Sequence, residues 1–128
     1  MTEMPTNQLR VLVIEDQPLI AMTIEMSINH LGHQMIGPIA RLDEAMTAAV
    51  CEKYDCAVID INIIGGCSFE VAEEISARNR PFVLATGYNE KFLPDSLKKF
   101  PRLTKPYSKE QLEWELKRMF DICHSMKS

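Results

Sequence analysis

The chain has 128 residues, enough for one buried core and too few for two. Hydrophobic residues make up 46% and charged residues 25%, which excludes a disordered chain and suits an ordinary globular domain. The net charge of −4 argues against nucleic-acid binding through a basic face, since affinity for a phosphate backbone comes from clustered Lys and Arg.

The small basic group Lys98, Lys99 and Arg102 lies near Asp95 and reads as a solvated face. No stretch approaches the roughly 18–20 apolar residues needed to cross a bilayer. The polar N-terminus with Pro5 does not read as a signal peptide. Cys51, Cys56, Cys67 and Cys123 form no CxxC pair, and His30 and His33 have no cysteine at finger-like spacing, so zinc is disfavoured. Together these features predict a cytoplasmic protein with reduced thiols and no membrane contact.

In chain order, Arg10 to Ile14 is a short β-branched run that predicts a strand buried on both faces. Asp16 is placed to cap a helix with Pro18 in its first turn, running to Leu31 and stopping at Gly32. Gln34 to Ile39 predicts a second strand, kept to an edge by Gly37 and Pro38. Leu42, Ala45, Met46, Ala49 and Val50 share one helical face, and that helix should end near Lys53.

Cys56 to Ile61 predicts a third strand, followed by a loop with Gly65 and Gly66 and a helix over about 68–78. Pro81 opens a strand from Phe82 to Thr86. Residues 89–99, interrupted by Pro94 and poor in apolar positions, predict a short or mobile helix. Arg102 to Thr104 stands where a fifth strand is needed but is too short to assign by pattern. Ser108 and Gln111 form a capping box for a last helix reaching about Cys123.

Strands alternating with helices imply right-handed crossovers and a parallel sheet covered on both faces. The expected architecture is an α/β, flavodoxin-like (βα)5 fold with a five-stranded parallel sheet in the order 2-1-3-4-5, whose ligands bind beyond the carboxyl ends of the strands. Glu15 and Asp16 follow the first strand, Asp60 ends the third, Thr86 ends the fourth and Lys105 follows the fifth, so all converge on one edge. Three carboxylates at close range repel unless a cation joins them, and their hard oxygens suit Mg²⁺. Lys105 and the Thr86 hydroxyl are then free to hold phosphoryl oxygens, while Asp60, fixed between Ile59 and Ile61, is the candidate nucleophile.

The ordered set resembles a known family. VLVIEDQPLIA is similar to the first strand and acidic pair of the receiver domain of bacterial response regulators. CAVIDINI is similar to its phosphoacceptor strand, LATGY to its switch strand and TKPY to its lysine-proline motif. The resemblance covers about residues 9–120 and implies that Asp60 accepts a phosphoryl group from a histidine kinase or phosphotransfer protein. It also implies Mg²⁺, or Mn²⁺ or another divalent ion in its place, held by Asp16, Asp60, the backbone carbonyl of Asn62 and, at longer range, Glu15. Thr86 and Lys105 would contact phosphoryl oxygens, and Lys105-Pro106 would be a cis bond.

PFVLATGY resembles the Pro-Phe-x-Phe-Ala-Thr-Gly-Tyr/Gly motif of a subgroup of single-domain receivers found mainly in alphaproteobacteria, with Leu84 replacing the second phenylalanine. Two features depart from the common pattern. The loop after Asp60 reads NIIGG without proline, and Arg102 stands where an aromatic switch residue is usual. Gly87, Tyr88 and Arg102 are therefore the candidate switch or access residues, with Tyr88 and the segment to Lys99 as the expected phosphorylation-sensitive surface. The expected division is an N-terminal extension over 1–8, a receiver over 9–123 and a tail over 124–128, with no output domain. Output would pass through a downstream protein target or phosphate would drain from a shared kinase, in a monomer or weak dimer. Two other readings compete: a degenerate receiver serving as a phosphorylation-independent interaction module, and a hydrolytic phosphatase. The phosphatase would need a carboxylate where Asn62 stands.

Overall fold

The computed structural model describes residues 8–87 and 93–127. Three strands are buried along their whole length or nearly so: β1 (Arg10–Ile14), β3 (Cys56–Asp60) and β6 (Phe82–Thr86). Their Val, Ile, Leu and Ala side chains leave no polar face for water, so they occupy the centre of the sheet. Strand β2 (Gln34–Ile39), exposed or half-buried along its length, and strand β7 (Arg102–Thr104), which alternates in exposure, form its edges. All pairings in this sheet are parallel, in the order β2-β1-β3-β6-β7. Two short strands, β4 (Asn62–Ile63) and β5 (Gly66–Cys67), pair antiparallel as a separate ribbon. With that ribbon set aside, the order is the expected 2-1-3-4-5.

Helices α1 (Pro18–His30) and α4 (Lys109–Lys127) cover one face, and α2 (Leu42–Cys51) and α3 (Phe69–Ala77) the other. Strand alternation splits the core accordingly. Leu12, Ile14, Ile59 and Leu84 join Ala45, Val71 and Ile75, whereas Val11, Val13, Val58 and Val83 join Ile24, Leu112 and Leu116. Burying one such aliphatic side chain is worth about 1.5–3 kcal/mol.

Three expectations need correction. Among the described residues there are four α-helices rather than five, because the described part of the β6–β7 crossover holds only a single 3-10 turn, Asp95–Leu97. Pro94 and the sparse apolar positions leave too little to sustain a longer helix there. Helix α4 continues to Lys127 rather than ending near Cys123. Asp16 does not cap α1: the N-cap is Gln17, without a side-chain hydrogen bond, because Asp16 turns toward Glu15 and Asp60 instead.

Other ends behave as the residue types dictate. Gly32, at φ +88°, closes α1, with its N–H bonded to Asn29 O and the His33 N–H to Ile28 O, both at 3.0 Å. Ser108 and Gln111 exchange reciprocal hydrogen bonds of 3.0 and 2.7 Å at the start of α4. The cis peptide at Gly37-Pro38 was not foreseen. Gly37 has φ +109°, and a Cβ there would lie 2.7 Å from Val13 O, so only glycine lets β2 pass β1 at this irregularity.

The ribbon is anchored rather than loose. The Leu42 N–H donates to Ile64 O at 2.8 Å and the Ile64 N–H to Ala40 O at 3.0 Å, tying the loop after Asp60 to the start of α2.

Candidate functional site

The phosphoacceptor candidate stands at the carboxyl end of the central strand β3, 4% exposed. Its backbone is held by Ser68, whose buried hydroxyl donates to Asp60 O at 2.6 Å and to Ile61 O at 3.2 Å. Its carboxylate is held from two sides: the Asn62 N–H donates to Oδ1 at 3.3 Å, and Lys105 Nζ lies 2.9 Å from Oδ2. Glu15, 2% exposed at the end of β1, completes the arrangement, with Oε1 3.2 Å from the same Lys105 Nζ. The Gln17 N–H donates to Glu15 Oε2 at 3.1 Å.

The register explains this convergence. Ile14 is level with Ile59, and Asp60 with Ala85, so β1 and β3 end together. Thr86 is level with Thr104, and its carbonyl accepts the Lys105 N–H at 2.7 Å, which fixes where the lysine begins. The Lys105-Pro106 peptide is cis.

Electrostatics follow from burying like charges. Desolvation, the hydrogen bond with Asp60 and the Asp60 charge push the Glu15 carboxyl up to about 7, against the smaller pull of Lys105. Burial alone would lower Lys105, but the Asp60 hydrogen bond and the charges of Asp60 and Glu15 outweigh it, and the ammonium is held above its ordinary range. In this state Lys105 acts as the counter-ion that lets two carboxylates share a pocket.

Carboxylate oxygens of Glu15, Asp16 and Asp60 lie within 4.8 Å of one another. Opposite oxygens in a Mg²⁺ shell are roughly 4 Å apart, so a small closing movement would fit this hard-oxygen donor set to that ion. Asp16 is the more accessible of the three, which suits an ion that keeps part of its water.

Asp60, Glu15, Asp16, Asn62 and Lys105 are thus brought together. Thr86 stands at the same edge, 5% exposed, and joins the arrangement through its backbone carbonyl. Gly87 follows it, half-buried, whereas Arg102 is exposed on the edge strand, level with Leu84 and away from the carboxylates. Tyr88 lies outside the described residues.

Two residues escaped the sequence reading. Ser68 gave no motif, since its role depends on the ribbon that returns the chain to Asp60. Tyr107 packs its ring against the α1–α4 core, and its hydroxyl is buried without a hydrogen-bond partner among the described residues. Burial first, then the charges of Glu15 and Asp60, raise its pKa well beyond the normal tyrosine range. A buried hydroxyl with no partner costs about 1–3 kcal/mol of desolvation. Tyr107→Phe is therefore expected to leave stability unchanged or raise it by up to about 1 kcal/mol in urea unfolding. A clear loss would mean that the hydroxyl is satisfied.

No protein-family model matches the chain. Among curated proteins, it is 35% identical to the phyllosphere-induced regulator PhyR of Methylorubrum extorquens over 86 residues, 65% of this chain and 32% of that protein. The chain therefore spans about a third of that relative. Among solved structures, it superposes on SdrG from Sphingomonas melonis with a TM-score of 0.77 and 30% identity, covering 90% of this chain and 98% of the other. The PhyR response regulator REC domain of Erythrobacter litoralis gives a TM-score of 0.77 and 28% identity, covering 89% and 91%. With the parallel sheet, the acidic cluster and the lysine that spans it, these likenesses show that the chain belongs to the receiver domains of response regulators.

Proposed function

We propose that this receiver accepts a phosphoryl group on Asp60 from a histidine kinase or phosphotransfer protein, in a Mg²⁺-dependent reaction in the cytoplasm. The observation that carries the reading is the Asp60 carboxylate, held between the Asn62 N–H and Lys105 Nζ at the mouth of a three-carboxylate cluster. One Asp60 oxygen attacks phosphorus as the bond to the donor's imidazole nitrogen breaks, leaving an acyl phosphate on Asp60 and a free histidine on the donor. Lys105 would pass from the Asp60 carboxylate to a phosphoryl oxygen without leaving the pocket, and the Thr86 hydroxyl would meet another. Glu15, Asp16, Asp60 and the Asn62 carbonyl would hold the ion. When bound, Mg²⁺ neutralises charge building on the phosphoryl oxygens.

PFVLATGY supports membership of the alphaproteobacterial subgroup, and the exposed Arg102 supports a switch that does not use an aromatic at that position. The output is binding to a downstream protein or draining of phosphate from a shared kinase. Incubation with acetyl phosphate and Mg²⁺ should add the mass of one phosphoryl group to the chain, and none to Asp60→Asn. Equal labelling of the variant would sink the reading. Complete failure of the wild type with every donor would favour the phosphorylation-independent interaction module.

A further inference from the structure

The edge of the sheet opposite Asp60 carries a groove of about 490 Å³ that the phosphoryl chemistry does not use. It lies between the turn entering β6, the residues entering β7 and the exposed side of α4. Its apolar part is formed by the Phe82–Phe100 ring pair, 4.4 Å between centroids, and by Ile122 and Met126 of α4. Those last two are 38% and 51% exposed, an unfavourable way to present large aliphatic side chains to water.

Charge is equally one-sided. Arg80, Lys99 and Arg118 line the groove, and no carboxylate does. Arg118 is paired with Glu115 at 3.0 Å, whereas Arg80 and Lys99 have no ion-pair partner among the described residues. Lys99 Nζ instead sits 5.4 Å from the centroid of the Phe100 ring. In a chain of net charge −4, uncompensated cations from two separate loops beside exposed aliphatic groups are a complementary surface awaiting the opposite charge.

We propose that this groove docks an acidic peptide segment of a partner protein, one that interleaves carboxylates with large apolar side chains. Both halves of the surface are then used: carboxylates meet Arg80 and Lys99, and apolar side chains cover Ile122, Met126 and the half-buried Phe100, whose ring rests on the buried Phe82. A small anion would engage the cations and leave the aliphatic wall exposed. A nucleic-acid strand would need a longer run of cations than three. The proposal is independent of whether Asp60 is phosphorylated.

The test is an amide NMR titration of the full chain with a synthetic octapeptide alternating glutamate with leucine and phenylalanine. Shifts are expected to cluster over residues 76–82, 99–101 and 118–126, with Kd below about 1 mM. The exposed double variant Arg80→Glu/Lys99→Glu should weaken binding at least about tenfold, and a peptide with lysine for glutamate should not bind. No clustered shifts, or equal binding by the variant, overturns the proposal. Inorganic phosphate or glutarate reproducing the same shifts would instead make it a small-anion site. A dimer in sedimentation that the variant abolishes would assign the groove to a second copy of this chain; either result also overturns it.

Discussion

Lys105→Ala is expected to cost about 3 kcal/mol of stability near pH 8, because the variant leaves two buried carboxylates facing each other without their ammonium. The raised pKa of Lys105 means that its stabilising contribution is fully present below the unfolded value and is lost only when pH rises through the folded one. At neutral pH the whole effect is therefore in play. Its size should also depend on pH through Glu15, whose carboxyl titrates at about 7 in the fold. Below that value a proton on Glu15 relieves the repulsion, so the cost should shrink toward pH 5. Urea unfolding at the two pH values reads both effects. A loss under about 1 kcal/mol at the higher pH would mean the pair is solvated and the pocket open to water.

Magnesium should act in the opposite sense. In the metal-free fold, Glu15 is raised above its unfolded value of about 4.5. The stability this contributes is present below that value and is lost as pH rises through about 7. A divalent ion on Glu15, Asp16 and Asp60 removes that penalty, and at about a hundred times its Kd adds about 2.7 kcal/mol. Apparent affinity should fall as pH drops below about 7, by up to about tenfold per unit, because the ion competes with the Glu15 proton. Asp16→Ala should remove most of the gain while leaving the metal-free fold nearly unchanged, since Asp16 is the more exposed carboxylate. Thermal melts with and without Mg²⁺ decide it; an unchanged midpoint would mean that the cluster does not bind the ion.

The central strands and the converging residues were legible because each signal was local. RVLVI, CAVID and FVLAT are apolar on both faces, and a parallel sheet brings their ends together whatever lies between them. What escaped depends on the tertiary path. Ser68 matters only because the ribbon returns it to the Asp60 carbonyl, and nothing in NIIGGCS announces that. Asp16 looked like a helix cap because an acid before Pro18 normally is one; the pull of the acidic pocket is invisible without the sheet. The β6–β7 crossover was legible only as weak, and its described part forms a single 3-10 turn.

The anchored ribbon has a mechanical consequence. Asn62 contacts the Asp60 carboxylate through its N–H, Ile64 is tied to Ala40 and Leu42, and Ser68 grips the strand end just before α3 begins. The pocket wall on the side of α2 and α3 is thus stapled at three points. Chemistry at Asp60 would push against a stiff abutment there. Displacement would be steered instead toward Lys105, whose long side chain is the most compliant link in the pocket.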